Sequence, residues 1–306
     1  MSSFIIEGGH KLSGEVIPQG AKNEALQILS SVLLTPGEVE IDNLPDIVDV
    51  NKLIDLLSSM GVKTRKLSEG KYWFKADDIN LEFLKSDEFK EKGSSLRGSV
   101  MILGPLLTRF GIGALPRPGG DKIGRRRMDT TFLGFKELGA EFSYDSATGF
   151  FTANVPKGKL KGKNMLLDEA SVTGTANVVM AAVMAEGTTT IYNAACEPYL
   201  QQLCKIINKM GGKITGVGSN LLTIEGVTEL GGATHRCLPD MIEVGSFIGM
   251  AAMTKSELTI KDVKYDELGV IPRIFKRMGV KLERRGDDIF VPAQESYEID
   301  KYIDGS

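Results

Sequence analysis

Apolar residues at i, i+3 and i+4 recur in short runs, each ending at a Gly that is followed by alternating apolar and polar positions. The four copies are LIDLLSSMGVKTRK around Gly61, FLGFKELGAEFSY around Gly139, LCKIINKMGGKITG around Gly211 and IPRIFKRMGVKLER around Gly279. In the first copy Leu53, Leu56 and Leu57 fall on one face, as an amphipathic helix requires. The Gly stands where a helix takes a left-handed C-terminal cap, and a strand is predicted after it.

A second rhythm precedes each copy: ALQILSSVLLTPGEVEI, VMILGPLLTRFGIGAL, ANVVMAAVMAEGTTTIYN and VGSFIGMAAMTKSELTI. Leu26–Leu34 and Ala176–Ala185 are apolar almost all round, which predicts central, buried helices. Thr188–Tyr192 alternates and is predicted to cover them on one face. The unit is therefore helix–strand–helix–strand with extra short strands, repeated every 68–78 residues. Three units at 21–238 are expected to form one α/β domain. A fourth unit, with residues 1–20 and a strand within 3–18, is expected to form a partial second domain at 239–306. Its apolar faces lack neighbours of the same design, which predicts partial disorder after about residue 239. Two such units are missing from the second domain, so the chain reads as C-terminally truncated.

Composition narrows the class. The 306 residues are 42% hydrophobic and 25% charged, which excludes a disordered or collagen-like chain. With 37 Lys plus Arg against 40 Asp plus Glu, the net charge of −3 argues against a general nucleic-acid binder. Three cysteines without a CxxC pair and only two histidines, His10 and His235, disfavour a zinc cage. The apolar stretches are too short for a membrane span, and the start has neither a basic n-region nor an apolar h-region. A soluble, cytoplasmic protein is expected.

Candidate chemistry clusters at the starts of the apolar helices. Lys22 in GAKNEAL stands where free backbone N–H groups and a positive dipole end would favour an anion, although a solvated Lys would fit equally well. Arg97 and the loop Asp168–Thr175 hold equivalent places in the repeat. Ser171 or Thr173 there could cap a helix or contact a ligand. Three helix N-termini carrying Lys and Arg at one end would form an anion-binding face. Between Arg117 and Asp129 a Gly-rich loop adds Lys122, Arg125, Arg126 and Arg127, suited to phosphate or carboxylate forks. Asp121 is the lone carboxylate among these cations, either a counter-ion or an acid–base group.

Together GAKNEAL, LRGSVMILGPLLTRFG, PGGDKIGRRRMD, AEGTTTIYNAACEP and LPDMIEVGSF resemble the UDP-N-acetylglucosamine enolpyruvyl transferase family. That family shares its fold with 5-enolpyruvylshikimate-3-phosphate synthase. The resemblance covers residues 3 to about 290, and the Ala-Lys-Asn form separates it from the shikimate enzyme. It implies two domains, each an inside-out α/β barrel of three βαβαββ units. It also implies transfer of an enolpyruvyl group from phosphoenolpyruvate to a UDP-N-acetylglucosamine hydroxyl, the first committed step of peptidoglycan precursor synthesis, by a monomer with no metal and no organic cofactor.

The implied site is residue-specific. Lys22 and Asn23 match the pair that contacts both substrates, Arg97 a nucleotide-sugar contact, and Arg126 a phosphoenolpyruvate contact. Arg126, Arg127, Met128, Asp129 and Thr130 match backbone around the UDP group, as do Glu169, Ala170, Ser171 and Val172. Glu169 departs from the usual Lys. Asp121 falls on the proton donor, usually Cys. The family's base aspartate and a further phosphate-binding arginine lie in its last two repeats, without counterparts here. A catalytically incompetent nucleotide-sugar binding module and a shikimate-pathway transferase are the competing readings.

Overall fold

The computed structural model describes residues 3–119 and 127–300. The chain divides into two compact units, one spanning Lys22–Cys237 and the other built from the described parts of Met1–Ala21 and Leu238–Ser306.

The repeats build the elements in order. A short β1 (Glu15–Val16) precedes α1 (Lys22–Ser31), β2 (Glu38–Asp42), α2 (Val48–Ser59), β3 (Lys63–Ser68) and β4 (Lys71–Lys75). Next come α3 (Asp87–Ser94), a 3-10 turn at Arg97–Ile102, α4 (Leu103–Phe110), β5 (Ile112–Pro116), α5 (Asp129–Glu137), β6 (Glu141–Asp145) and β7 (Phe150–Asn154). The third copy holds β8 (Asn164–Leu166), α6 (Val172–Ala182), β9 (Thr188–Tyr192), α7 (Pro198–Lys209), β10 (Lys213–Thr215) and β11 (Leu221–Glu225). The fourth holds β12 (Ala233–Arg236), α8 (Met241–Met253), β13 (Leu258–Ile260), α9 (Ile271–Arg277), β14 (Glu283–Arg285) and β15 (Asp288–Val291). The fold is α/β, as the repeat predicts.

The strands form four open sheets, β12–β2–β4–β3, β5–β7–β6, β8–β9–β11–β10 and β1–β13–β15–β14, and none closes into a barrel among the described residues. β12 pairs parallel with β2, while β1 pairs parallel with β13. The opening strands of the first and fourth copies are thus exchanged, and this is why the second unit takes residues from both ends of the chain. The predicted N-terminal strand shortens to Glu15–Val16.

Local chemistry explains the junctions. Gly61, Gly139, Gly211 and Gly279 all adopt positive φ, between 82° and 105°, two residues beyond the last helical residue. A turn that the sequence pattern did not reveal recurs after the second strand of three copies. Asn43 and Asn193 take φ of 58° there, and Asp262 takes 49°. Asn43 Nδ2 donates to the Cys237 carbonyl at 2.9 Å, and Asn193 Nδ2 to the Leu167 carbonyl at 3.0 Å. Side chains that tolerate the left-handed region thereby tie neighbouring segments together.

In the Lys22–Cys237 unit the helices pack on one another inside the sheets. Every residue from Ala25 to Leu34 is buried. Gly104 of α4 lies so close to α6 that an added Cβ would stand 2.5 Å from the Asn177 carbonyl oxygen. The buried Asn177 side chain accepts from the Gly104 N–H at 3.2 Å, so the close approach is hydrogen-bonded. Arg109 donates to the carbonyls of Leu33 and Thr35, closing the end of the α1 segment.

The other unit has its own small core of Val244, Ile248 and Ala251 on Ile260, Ile289 and Val291. Residues 239–300 therefore form helices and a sheet rather than the partly disordered stretch expected. The parallel β1–β13 pairing and this core supply enough contact to order them. No helix among the described residues is long and apolar enough to cross a membrane.

Candidate functional site

Two α-helix starts and the 3-10 turn converge in the Lys22–Cys237 unit on a cavity of about 250 Å³, lined by Lys22, Asn23, Gln27, Arg97, Thr173 and Tyr199 among others. Lys22 and Asn23 open α1, and Val172 and Thr173 open α6. Arg97 begins the 3-10 turn rather than an α-helix. Pro105 explains the difference: without an N–H it cannot bond back into the preceding turn, so regular α-helix begins only at Leu103. Exposed N–H groups at two helix starts, with Lys22 and Arg97 beside them, give the cavity a positive character.

Lys22 is held from one side and its helix from the other. Its Nζ lies 3.0 Å from Asp49 in the first turn of α2. Behind the site, Glu24 is fully buried, and its Oε1 lies 2.7 Å from His235 Nε2 on β12. With the carboxylate ionised, the imidazole N–H donates to it. The pair pins the first turn of α1 to the sheet. The Cys237 thiol lies close enough that Glu24, His235 and Cys237 each place a potential ligand atom within 4.8 Å of the others. Two ligands on one zinc would stand roughly 3.3 Å apart, given metal–ligand distances near 2.0–2.1 Å. The 2.7 Å separation is therefore that of a hydrogen bond. Burial, then Glu24 and Asp42, hold the Cys237 thiol well above its ordinary value, so it stays protonated. Burial likewise pushes Cys204 up to about 12, and exposed Cys196 completes the free cysteines.

A second set of residues lies beside the cavity. Thr130 Oγ1 donates to Asp168 Oδ1 at 2.5 Å and reaches Glu169 Oε1 at 3.3 Å, joining the 127–130 and 168–172 segments. Arg127 Nε is bonded to Asp129 Oδ2 at 2.6 Å, which raises the guanidinium pKa. Arg97 donates to the Arg127 carbonyl at 3.5 Å and so connects this set to the cavity. A larger hollow of about 1120 Å³ runs from Arg127 and Asp129 past Lys136, Lys157, Lys159 and Lys161.

The sequence-derived residues are thus placed as follows. Lys22, Asn23, Arg97 and Val172 share the cavity, whereas Arg127, Asp129, Thr130 and Glu169 form the neighbouring set. Met128 is half-buried just before α5, and Ala170 is exposed in the loop before α6. Ser171 caps α6, its Oγ accepting from the Gly174 N–H at 3.1 Å, so capping is the role visible here. Asp121, Lys122, Arg125 and Arg126 lie outside the described residues. The pattern missed Asp49, Gln27 and Tyr199, whereas Thr173, which it named as a cap or ligand contact, lines the cavity. Of the missed residues only Gln27 had a local signal, lying one helical turn from Asn23.

Comparison with known proteins fits this geometry. The model of the EPSP synthase (3-phosphoshikimate 1-carboxyvinyltransferase) family matches residues 6–303. A Bacteroides thetaiotaomicron protein named UDP-N-acetylglucosamine 1-carboxyvinyltransferase is 63% identical over all 306 residues, which cover 70% of its own length. A Porphyromonas gingivalis protein of the same name is 59% identical over the same extent. Among solved structures, the enolpyruvyl transferase NikO from Streptomyces tendae superposes with a TM-score of 0.77 at 18% identity, over 95% of this chain and 68% of that one. An EPSP synthase from Acinetobacter baumannii gives 0.70 at 16% identity, over 96% of this chain and 67% of that one. At such identities these two likenesses speak for the fold.

Proposed function

The chain belongs to the EPSP synthase family, and from that premise we propose that it serves transfer of the enolpyruvyl group of phosphoenolpyruvate to the 3-hydroxyl of UDP-N-acetylglucosamine, with release of phosphate. The observation that carries this reading is the convergence of Lys22, Asn23 and Arg97 on one cavity at two helix starts. Relatives at 59–63% identity carry the name of that activity.

The chemistry is an addition followed by an elimination. The sugar 3-hydroxyl gives up its proton as its oxygen bonds to carbon 2 of phosphoenolpyruvate, while a proton is added at carbon 3. The C–O bond to phosphate then breaks and a proton leaves carbon 3, restoring the double bond as an enol ether. Phosphate and carboxylate are anionic through both steps and phosphate gains charge as it leaves, which fixed cations and helix N-termini stabilise without rearranging. Lys22 and Arg126 form the clamp in this reading, with Asp121 as the acid that protonates carbon 3. Lys22 would exchange its Asp49 partner for the incoming anion. Asn23 and Arg97 hold the nucleotide sugar, whose diphosphate can extend past Arg127 toward the lysine-rimmed hollow. The 21–238 region is proposed as the domain that presents this face.

Assaying phosphate release with phosphoenolpyruvate and either UDP-N-acetylglucosamine or shikimate 3-phosphate, with calorimetric binding of each acceptor, tests the assignment. Phosphate release with the nucleotide sugar agrees with it; nucleotide-sugar binding without turnover selects the binding-module reading, and preference for shikimate 3-phosphate contradicts it. In an active preparation Asp121→Asn should lose most turnover and keep nucleotide-sugar binding, because an amide cannot donate the acid proton.

A further inference from the structure

Gln27 lies one turn beyond Asn23 on α1, so the two side chains share the face that lines the cavity of about 250 Å³. Long side chains on a helix lean toward its N-terminus, which carries the Gln27 carboxamide toward Asn23 and the cavity. Gln27 is only 4% exposed, and its Oε1 accepts no hydrogen bond among the described residues. Three other buried side-chain oxygens share that state, on Thr108, Thr189 and Glu197, and none of these residues lines the cavity. Folding rarely leaves a buried acceptor without a protein partner, and at a ligand cavity a donor that arrives with the ligand can supply one.

The chemistry of that donor is restricted. Lys22 and Arg97 meet anions, but an ionised phosphate or carboxylate has only acceptor oxygens and cannot satisfy Gln27. The group that does so must be a hydroxyl or an amide N–H. We propose that Gln27 is a specificity-determining residue whose carboxamide oxygen accepts a hydrogen bond from a sugar hydroxyl or the acetamido N–H of the amino-sugar nucleotide. This rests on the substrate reading above and adds a contact to the uncharged part of the ligand. The site separates its tasks: cations at the mouth of α1 take the anionic groups, while a neutral acceptor one turn deeper reads the sugar.

Gln27→Met keeps the side-chain length and helix preference but removes the acceptor. The 306-residue chain and this variant are titrated calorimetrically with UDP-N-acetylglucosamine and with UDP, and each is melted without ligand. The variant should bind UDP-N-acetylglucosamine about tenfold more weakly, the effect of one hydrogen bond. UDP binding should change by less than about twofold, since UDP lacks the N-acetylglucosamine ring that carries the proposed donor. The ligand-free variant should melt about 2 °C higher, because a buried acceptor without a protein partner has been removed. Gln27→Leu should repeat this pattern. Unchanged UDP-N-acetylglucosamine affinity overturns the assignment, as does an equal loss for UDP. A lower melting temperature with undiminished affinity also overturns it, giving Gln27 a structural role. A wild-type chain that binds neither ligand sinks the substrate reading and this assignment with it, a result distinct from wild type and variant binding alike.

Discussion

Helices α6 and α8 occupy the same place in their repeats and are both built from small and apolar residues, yet they end in opposite environments. Nine of the eleven residues of α6 are buried, against three of thirteen in α8. Met253 of α8 is 88% exposed and Ile242 is 55% exposed. The difference lies in neighbours: α6 packs on α4, α5 and α7, while α8 rests on β13 and β15 of its own unit. An apolar helix is buried by the company of equivalent repeats, and its composition alone does not ensure it. Their starts differ as well. The α8 start is closed by acids, Asp240 accepting from the Ile242 N–H at 2.8 Å and Glu243 from the Gln19 N–H at 2.7 Å. The starts of α1 and α6 instead open on a cavity with Lys22 and Arg97.

Matched substitutions can break this comparison. Gly104→Ala drives a methyl into the Asn177 carbonyl of α6 and should cost about 2–3 kcal/mol by chemical denaturation. Next in size is Glu24→Ala, which leaves buried His235 without its partner and should cost about 2 kcal/mol. Glu24→Gln keeps an acceptor and should recover part of that loss. In α8 the sign reverses. A Cβ at Gly249 would meet nothing within 4 Å, so Gly249→Ala should stabilise by about 0.5–1 kcal/mol through helix propensity. A destabilised Gly249→Ala would show that α8 is packed as tightly as α6.

The smallest effect is acid-dependent. Burial pushes the Asp42 carboxyl up, but the Arg236 guanidinium and the Asn43 N–H outweigh it, leaving its pKa below the usual 3.8. A depressed carboxylate stabilises the fold above its unfolded pKa, and that stability is lost as pH falls through the lowered folded value. Asp42→Asn should flatten the stability profile below about pH 4, by no more than about 0.5 kcal/mol for so exposed a pair.

Much of this was legible along the chain. The Gly61-type caps, the buried α1 and α6 and the placement of Lys22 and Arg97 at element starts follow from periodicity and local backbone chemistry. Distant pairings did not, because pattern carries no information about them. The Glu24–His235 bond joins residues 211 positions apart, and β12 finds β2 across a comparable span. The repeat pattern places Arg97 before an α-helix, but Pro105, eight residues on, delays regular helix to Leu103. Gln27 was hidden by the apolar run around it, although its spacing from Asn23 was visible. Asp121 and Arg126 lie outside the described residues, so their specific roles rest on the charge pattern of their loop and on resemblance.

The central claim is that separate elements of one unit, the starts of α1 and α6 and the turn at Arg97, meet around a single ligand. Hydrogen exchange followed by mass spectrometry, with and without saturating UDP-N-acetylglucosamine, tests it most directly. The account predicts slower exchange in all three segments, 22–27, 97–102 and 172–175, when the ligand is bound. Bound ligand with exchange unchanged in these segments, or slowed in only one of them, would contradict it.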